Sequence, residues 1–377
     1  MNTGTAFTPT PRTPATWSER LQRLHIDLWL LSLLVSIGIV GLVTLYSASG
    51  HSLDALLAQL QRLLLGFMVM AALAQVPPDY YRAAAPWFYG VACVLLALVL
   101  VLGDHAKGAQ RWLDLGVIRF QPSEMMKLGM PMMVAAWLHG RPLPPSWRVV
   151  LVTLAIIGFP AVMVMLQPDL GTALLIIVSG GFALYLGGLG WRWILGALAA
   201  VAAAAPILWY RLHDYQRQRV LTFLDPERDP LGTGYHITQS KIAIGSGGVF
   251  GKGWMNGTQA KLDFLPESHT DFIFAVYSEE MGMMGVILLL TLYTLVVGRG
   301  LFIALRGHDS FQRLLAGSLA LTFFIYVFIN MGMVMGLMPV VGVPLPLLSY
   351  GGTSAVTLLA GFGMLMSIHT HRKLLSS

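Results

Sequence analysis

Apolar runs of about twenty residues, each long enough to cross the hydrocarbon core of a bilayer as a helix, recur along the whole chain. Inside such a run the backbone has no water to bond, so each segment must close its own hydrogen bonds. Spanning helices are the solution that does this. We place the spans at residues 26–46, 55–76, 85–103, from 122 onward, 149–166, 170–189, one ending near 210, then 272–297, 311–336 and 350–368. The expected fold is an all-α polytopic membrane protein of about ten transmembrane helices. One large outer loop, 211–270, separates the seventh from the eighth. The chain is 56% hydrophobic and 11% charged, against roughly 25% charged in soluble domains. Residues 1–18, rich in Thr and Pro, read as a disordered cytoplasmic tail rather than a cleaved signal. Residues 19–377 read as a single transmembrane domain.

Short-loop cations orient the bundle. Arg82, Arg141, Arg148, Arg192, Arg299 and Arg306 fall on the side of the N-terminus, and the short loops opposite hold Lys107, Arg111 and Arg119. The positive-inside rule then puts both termini in the cytoplasm and the 211–270 loop outside. The net charge of +6 is spread over loops, so it reads as topology and predicts no nucleic-acid partner. Cys93 is the one cysteine, which excludes an intrachain disulfide and a Cys-based zinc site; no HExxH motif suggests a zinc hydrolase either.

The stretch most suited to chemistry is LPESHTDFIFAVYSEE, residues 265–280, where the polar loop enters an apolar span. Glu267, His269 and Asp271 could all move protons there. A carboxylate at that boundary is partly screened from water yet open to a polar substrate, so its pKa can be tuned towards a general base. Asp271 has a second reading as a helix-start residue favoured by capping and the macrodipole. Glu124 and Lys127 lie three apart, hence on one helix face, and form either a packing ion pair or the lining of a polar cavity. Arg62 and Gln59 lie in the second span, where they must face protein or water. Trp112 is an interfacial anchor, or it stacks on a sugar while Arg111 pairs with a diphosphate. Arg217, Arg219 and Lys241 are either a solvated basic face near lipid headgroups or phosphate ligands. Glu279 and Glu280 point about 100° apart on a helix, so at most one faces a given cavity easily. The glycine-rich passage 245–257 lacks P-loop spacing and reads as a flexible lid or a nest for substrate phosphate.

Several stretches together resemble a known family. They are LYSASG (45–50), KGAQRWLDLG (107–116), RFQPSEMMK (119–127), QPDLGTA (167–173), HDYQRQRV (213–220), DPERDPLGTGYHITQSKIAIGSGG (225–248), GKGWMNGTQAKLDFLPESHTDFIFAVYSEEMG (251–282) and PVVGVPLPLLSYGGTS (339–354). The chain is similar to the SEDS proteins (shape, elongation, division and sporulation), and RWLDLG with HTDFIFAV is closer to the elongation branch than to the division branch. The resemblance implies an inverting peptidoglycan glycosyltransferase of the bacterial inner membrane. Such an enzyme polymerises lipid II, a disaccharide-pentapeptide on undecaprenyl diphosphate, into β-1,4 glycan strands during elongation. It also implies that Asp271 is the essential acid, that Trp112 is the family's loop tryptophan, and that Glu124 and Lys127 are its intramembrane acid–base pair. The implied partner is a class B penicillin-binding transpeptidase, with membrane lipids around the bundle.

The mechanism we expect makes Asp271 the base for the acceptor hydroxyl. Arg111, Arg217, Arg219 and Lys241 would hold the departing diphosphate with a divalent cation such as Mg²⁺. Trp112, Glu267 and His269 complete the expected substrate contacts. Two other classes compete: a lipid II flippase, which the intramembrane Glu124, Lys127 and Arg62 would suit, and a scaffold that recruits the transpeptidase.

Overall fold

The computed structural model describes residues 25–106, 109–114, 119–211, 217, 221–222, 225, 233–261 and 268–371. The expected tail, 1–18, lies outside them. Helices stand at all ten expected positions. They are α1 (Leu28–Ala48), α2 (Leu53–Ala74), α3 (Pro78–Leu102), α4 (Pro122–Leu138), α5 (Trp147–Leu166), α6 (Leu170–Leu186) and α7 (Trp191–Arg211). After the large loop come α10 (Ile273–Leu305), α11 (Ser310–Val334) and α12 (Thr353–Thr370). Among the described residues seven helices are long and apolar enough to cross a membrane, and Leu170–Leu186 and Trp191–Pro206 are shorter apolar helices.

Two expected loops carry structure of their own. The segment after α3 folds into three short antiparallel strands, β1 (Asp104–Ala106), β2 (Ala109–Asp114) and β3 (Arg119–Phe120), with β2 in the middle. The large loop contains α8 (Thr233–Ser246) and a single turn, α9 (Thr258–Lys261). α8 packs on α10 and α11, and Ser240 Oγ donates to the Val334 carbonyl at the end of α11 (2.7 Å).

α11 is the central post. Most of its length is buried, and it packs on α10, α6, α4 and α12. α2 and α12 form the other close pair. There Gly363 lies against the backbone of Met70, and a Cβ at Gly66 would sit 2.6 Å from Leu359 Cδ1. Small residues let helix backbones approach where lipid offers no hydrophobic drive for association.

α10 is broken at Gly282 (φ 64°, ψ −166°), a conformation reserved for glycine. The glycine-rich passage fills this break. Lys252 N and Gly253 N donate to the carbonyls of Glu279 and Glu280 (both 3.0 Å), while Met283 N and Met284 N donate to the carbonyls of Gly248 and Val249 (2.9 and 3.1 Å). The passage thus replaces the missing helical ladder. Its glycines are needed for approach: a Cβ at Gly247 or Gly251 would strike the carbonyl oxygen of Ser278 or Glu280. The expectation of a lid or phosphate nest is corrected, because the backbone groups such a nest would offer are committed to α10. Both adjacent carboxylates serve the same dock. Glu279 accepts from Lys252 Nζ (2.6 Å), Thr258 N (2.9 Å), Thr258 Oγ1 (2.8 Å) and Gln259 N (3.2 Å), and Glu280 accepts from Ser47 Oγ on α1.

At the other end of α10, Arg299 pairs with Asp27 (2.8 Å), which also caps α1 and lies 3.6 Å from His369 of α12. Three helices are tied there.

Gly251→Ala should lower stability by roughly 1–3 kcal/mol, through strain at φ 77° and the clash with Glu280. Gly245→Ala, on α8 with open space around it, should be neutral or stabilising by up to about 1 kcal/mol. Thermal unfolding in one detergent compares the two.

Candidate functional site

α4 begins with Pro122 at its first position, where the missing N–H costs nothing. Glu124 and Lys127 follow on one face. Their side chains are 7% exposed and pair at 2.6 Å, and the Lys127 ammonium lies 5.3 Å from the ring centre of Tyr326 on α11. Glu124 Oε1 takes the lysine, whereas Oε2 is buried and has no hydrogen-bond partner among the described residues. A buried pair of this kind is costly to assemble and unstable to the loss of either member.

The pair faces a chamber of about 230 Å³. Trp112 from β2, Gln121, Asp169, Tyr326, the 342–344 turn and the start of α12 complete its wall. Asp169 Oδ1 caps α6 through Thr172 N (3.1 Å), and its Oδ2 accepts from Gln121 Nε2 (3.5 Å). A second cavity of about 580 Å³ shares Trp112, Glu124, Gly352 and Thr353 with the first. Its other walls are Leu65, Phe88, Met125, Leu128 and Val356, with Arg62 among them. A polar chamber therefore adjoins a mainly apolar annex between α2, α3, α4 and α12.

Asp271 lies at the chamber's edge. α10 starts at Ile273 with Phe272 as the cap residue and no side-chain cap hydrogen bond, so Asp271 stands one residue before the cap position. Asn330 Nδ2 donates to the Asp271 carbonyl (2.9 Å) and to the Val343 carbonyl (2.8 Å). This fully buried amide of α11 joins the Asp271 turn to the chamber wall. Gly342, part of that wall, adopts φ 70°, and a Cβ there would sit 3.6 Å from Asp271 Oδ2. His269 accepts from Tyr350 N through its carbonyl (2.9 Å), and the two rings meet edge to face at 5.9 Å. The Arg62 guanidinium lies 4.5 Å from the Tyr350 ring centre.

Trp112, Glu124 and Lys127 thus line one chamber, Asp271 adjoins it through Gly342, and His269 stands beside Tyr350 and, through it, Arg62. Other expected ligands are elsewhere. Lys241 lies over Gly336, just beyond the end of α11, where a cation complements the helix dipole. Arg217 donates to the carbonyls of Trp209 and Tyr210 (2.9 and 2.8 Å), closing the end of α7. The Arg111 side chain, Arg219 and Glu267 lie outside the described residues. The structure adds Arg62, Asp169, Gln121, Tyr326 and Asn330. Arg62 and Asp169 carried a signal, a charge inside an apolar run and an acid after a helix break; a lone Asn in an apolar span carried none. Among the described residues no group of three or more His, Cys, Asp or Glu could hold a metal.

Fold and site together define a multispan membrane protein with a polar chamber beside a mainly apolar cavity. Residues 21–374 match the family of FtsW, RodA and SpoVE, described as cell cycle protein. The chain belongs to this family, the SEDS proteins. It is 50% identical over 371 residues to peptidoglycan glycosyltransferase MrdB of Escherichia coli K12, covering 98% of this chain and 99% of the relative. It is 37% identical over 368 residues to a probable peptidoglycan glycosyltransferase FtsW of Halorhodospira halophila, covering 93% and 90%. Of solved structures, a chain from a peptidoglycan synthase complex, described as coordinating polymerization and crosslinking, superposes with TM-score 0.79 at 36% identity, covering 92% of this chain and 98% of that one. The rod shape determining protein RodA of Thermus thermophilus superposes with TM-score 0.70 at 32% identity, covering 92% and 98%.

Truncating either member of the buried pair, by Glu124→Gln or Lys127→Met, should cost about 3–5 kcal/mol. The double variant should lose less than the sum. Thermal unfolding of the four proteins gives the coupling.

Proposed function

We propose that this chain is a peptidoglycan glycosyltransferase that polymerises lipid II into β-1,4 glycan strands during cell elongation. The observation that carries the reading is the polar chamber with an apolar side annex and a carboxylate at its edge. A lipid-linked sugar needs all three: a wet place for the sugar, a dry place for the tail, and a base for the incoming hydroxyl.

The acceptor hydroxyl is a poor nucleophile at neutral pH. Its oxygen attacks the anomeric carbon while its proton passes to the Asp271 carboxylate. The bond to undecaprenyl diphosphate breaks on the opposite side, the electron pair leaves with the diphosphate, and the anomeric centre inverts. Negative charge builds on the leaving group, where fixed cations and oriented N–H groups stabilise it. A divalent cation such as Mg²⁺ binds through one or two carboxylates together with substrate phosphates. Such an ion would arrive with the substrate phosphates as its main ligands and would neutralise diphosphate charge.

The setting follows from the same reading. The protein sits in the bacterial inner membrane with both termini cytoplasmic and Asp271 at the outer face. It works beside a class B penicillin-binding transpeptidase that crosslinks the strands it makes, as the complex containing its structural relative suggests.

Purified protein should polymerise labelled lipid II, faster with the transpeptidase and slower with a chelator. Asp271→Asn should reduce the rate by about 10²–10⁴-fold, the usual worth of a general base, with unchanged thermal stability. Polymerisation at the normal rate by Asp271→Asn would remove Asp271 from the role of base.

A further inference from the structure

We propose that the start of α12 and the Arg62 guanidinium bind the diphosphate of a prenyl-linked substrate, with the prenyl chain in the annex. This rests on the glycosyltransferase reading and deepens it by placing the leaving group. α12 is an 18-residue helix whose cap residue, Gly352, supplies no side chain to its first N–H groups. Such a terminus offers unbonded donors and partial positive charge to an anion. Gly351 to Ser354 line the polar chamber, and Gly352 and Thr353 line the annex as well. The terminus therefore stands at the junction of the two spaces, where the headgroup of a lipid-linked sugar must lie if its tail is in the annex.

Two further observations point to a ligand there. Arg62 holds its guanidinium against this terminus: a Cβ at Gly352 would sit 3.3 Å from Arg62 Nε. The Tyr350 ring steadies it (4.5 Å), and among the described residues it has no carboxylate partner. The planar fork of an arginine suits phosphate oxygens. Glu124 is 5% exposed, lines both spaces, and leaves Oε2 without a partner among the described residues. That oxygen calls for a donor or a cation on the same ligand, beside the anionic group. A glycosyl diphosphate supplies both, since sugar hydroxyls or amides lie next to its phosphates. The remaining chamber charges are committed: Lys127 to Glu124 Oε1, and Asp169 to Thr172 and Gln121. Among the described residues, Arg217 and Lys241 stand at helix ends, whereas Arg62 stands against the start of α12.

The test measures binding to the full chain in nanodiscs, with geranylgeranyl diphosphate as the probe and geranylgeraniol and inorganic pyrophosphate as the other arms. The wild type should bind the diphosphate lipid more tightly than either. Arg62→Gln should weaken that binding by about tenfold or more, the worth of one charge-assisted hydrogen bond, and leave geranylgeraniol binding unchanged. Gly352→Ala, which leaves Arg62 in the chain but wedges a methyl against it, should weaken it in the same sense. Asp271→Asn should bind the probe as the wild type does. Wild-type binding in both Arg62→Gln and Gly352→Ala would overturn the site. So would an equal loss in Asp271→Asn, or pyrophosphate bound as tightly as the diphosphate lipid. None of these outcomes touches polymerisation by the wild type, which tests the underlying reading separately.

Discussion

A helix interrupted within an apolar bundle exposes backbone groups that neither lipid nor neighbouring hydrocarbon can satisfy, and each one left alone costs several kcal/mol. α10 meets this constraint by borrowing a second piece of chain. The passage from Gly247 to Gly253 supplies acceptors to Met283 and Met284 and takes up the carbonyls of Glu279 and Glu280. Because the segment preceding the break leads back directly to Asp271, the placement of the candidate base depends on this borrowed ladder. The side chains of Glu279 and Glu280 reinforce it from Lys252 and Ser47, so a dense set of charges that resembles chemistry is architecture.

The chamber illustrates how a membrane protein carries ionisable groups without losing its fold. Glu124 and Lys127 neutralise each other, Tyr326 covers the ammonium, and Asp169 is held by a helix start. Among the described residues, what is left over includes the second oxygen of Glu124, the Arg62 guanidinium and the donors at the start of α12. Those residual groups, and not the number of charges, set what the cavity can accept.

Much of the architecture was legible in the chain. Seven of the ten helices follow from apolar length alone, and the start of α4 was marked by Pro122 with Glu124 and Lys127 three apart. Asp271 could be placed at a boundary, because a polar stretch turning apolar is a compositional fact. The glycine passage was misread, since glycine serves mobility and close approach equally and only the neighbour decides between them. Lys241 and Arg217 were expected at substrate and stand at helix ends, because a basic residue in a long loop carries no address. Arg62 was visible as an anomaly inside the second span, but its role depended on Tyr350 and Gly352, nearly three hundred residues away along the chain. Asn330 gave no warning, since its importance lies wholly in two carbonyls it happens to bridge.

That bridging amide has a mechanical consequence. One planar group grips both the turn that carries Asp271 and the stretch at Val343 that walls the chamber. Neither can shift against the other without breaking one of these two hydrogen bonds. Turn and wall are pinned as one piece, so a single buried amide sets the spacing between Asp271 and the chamber.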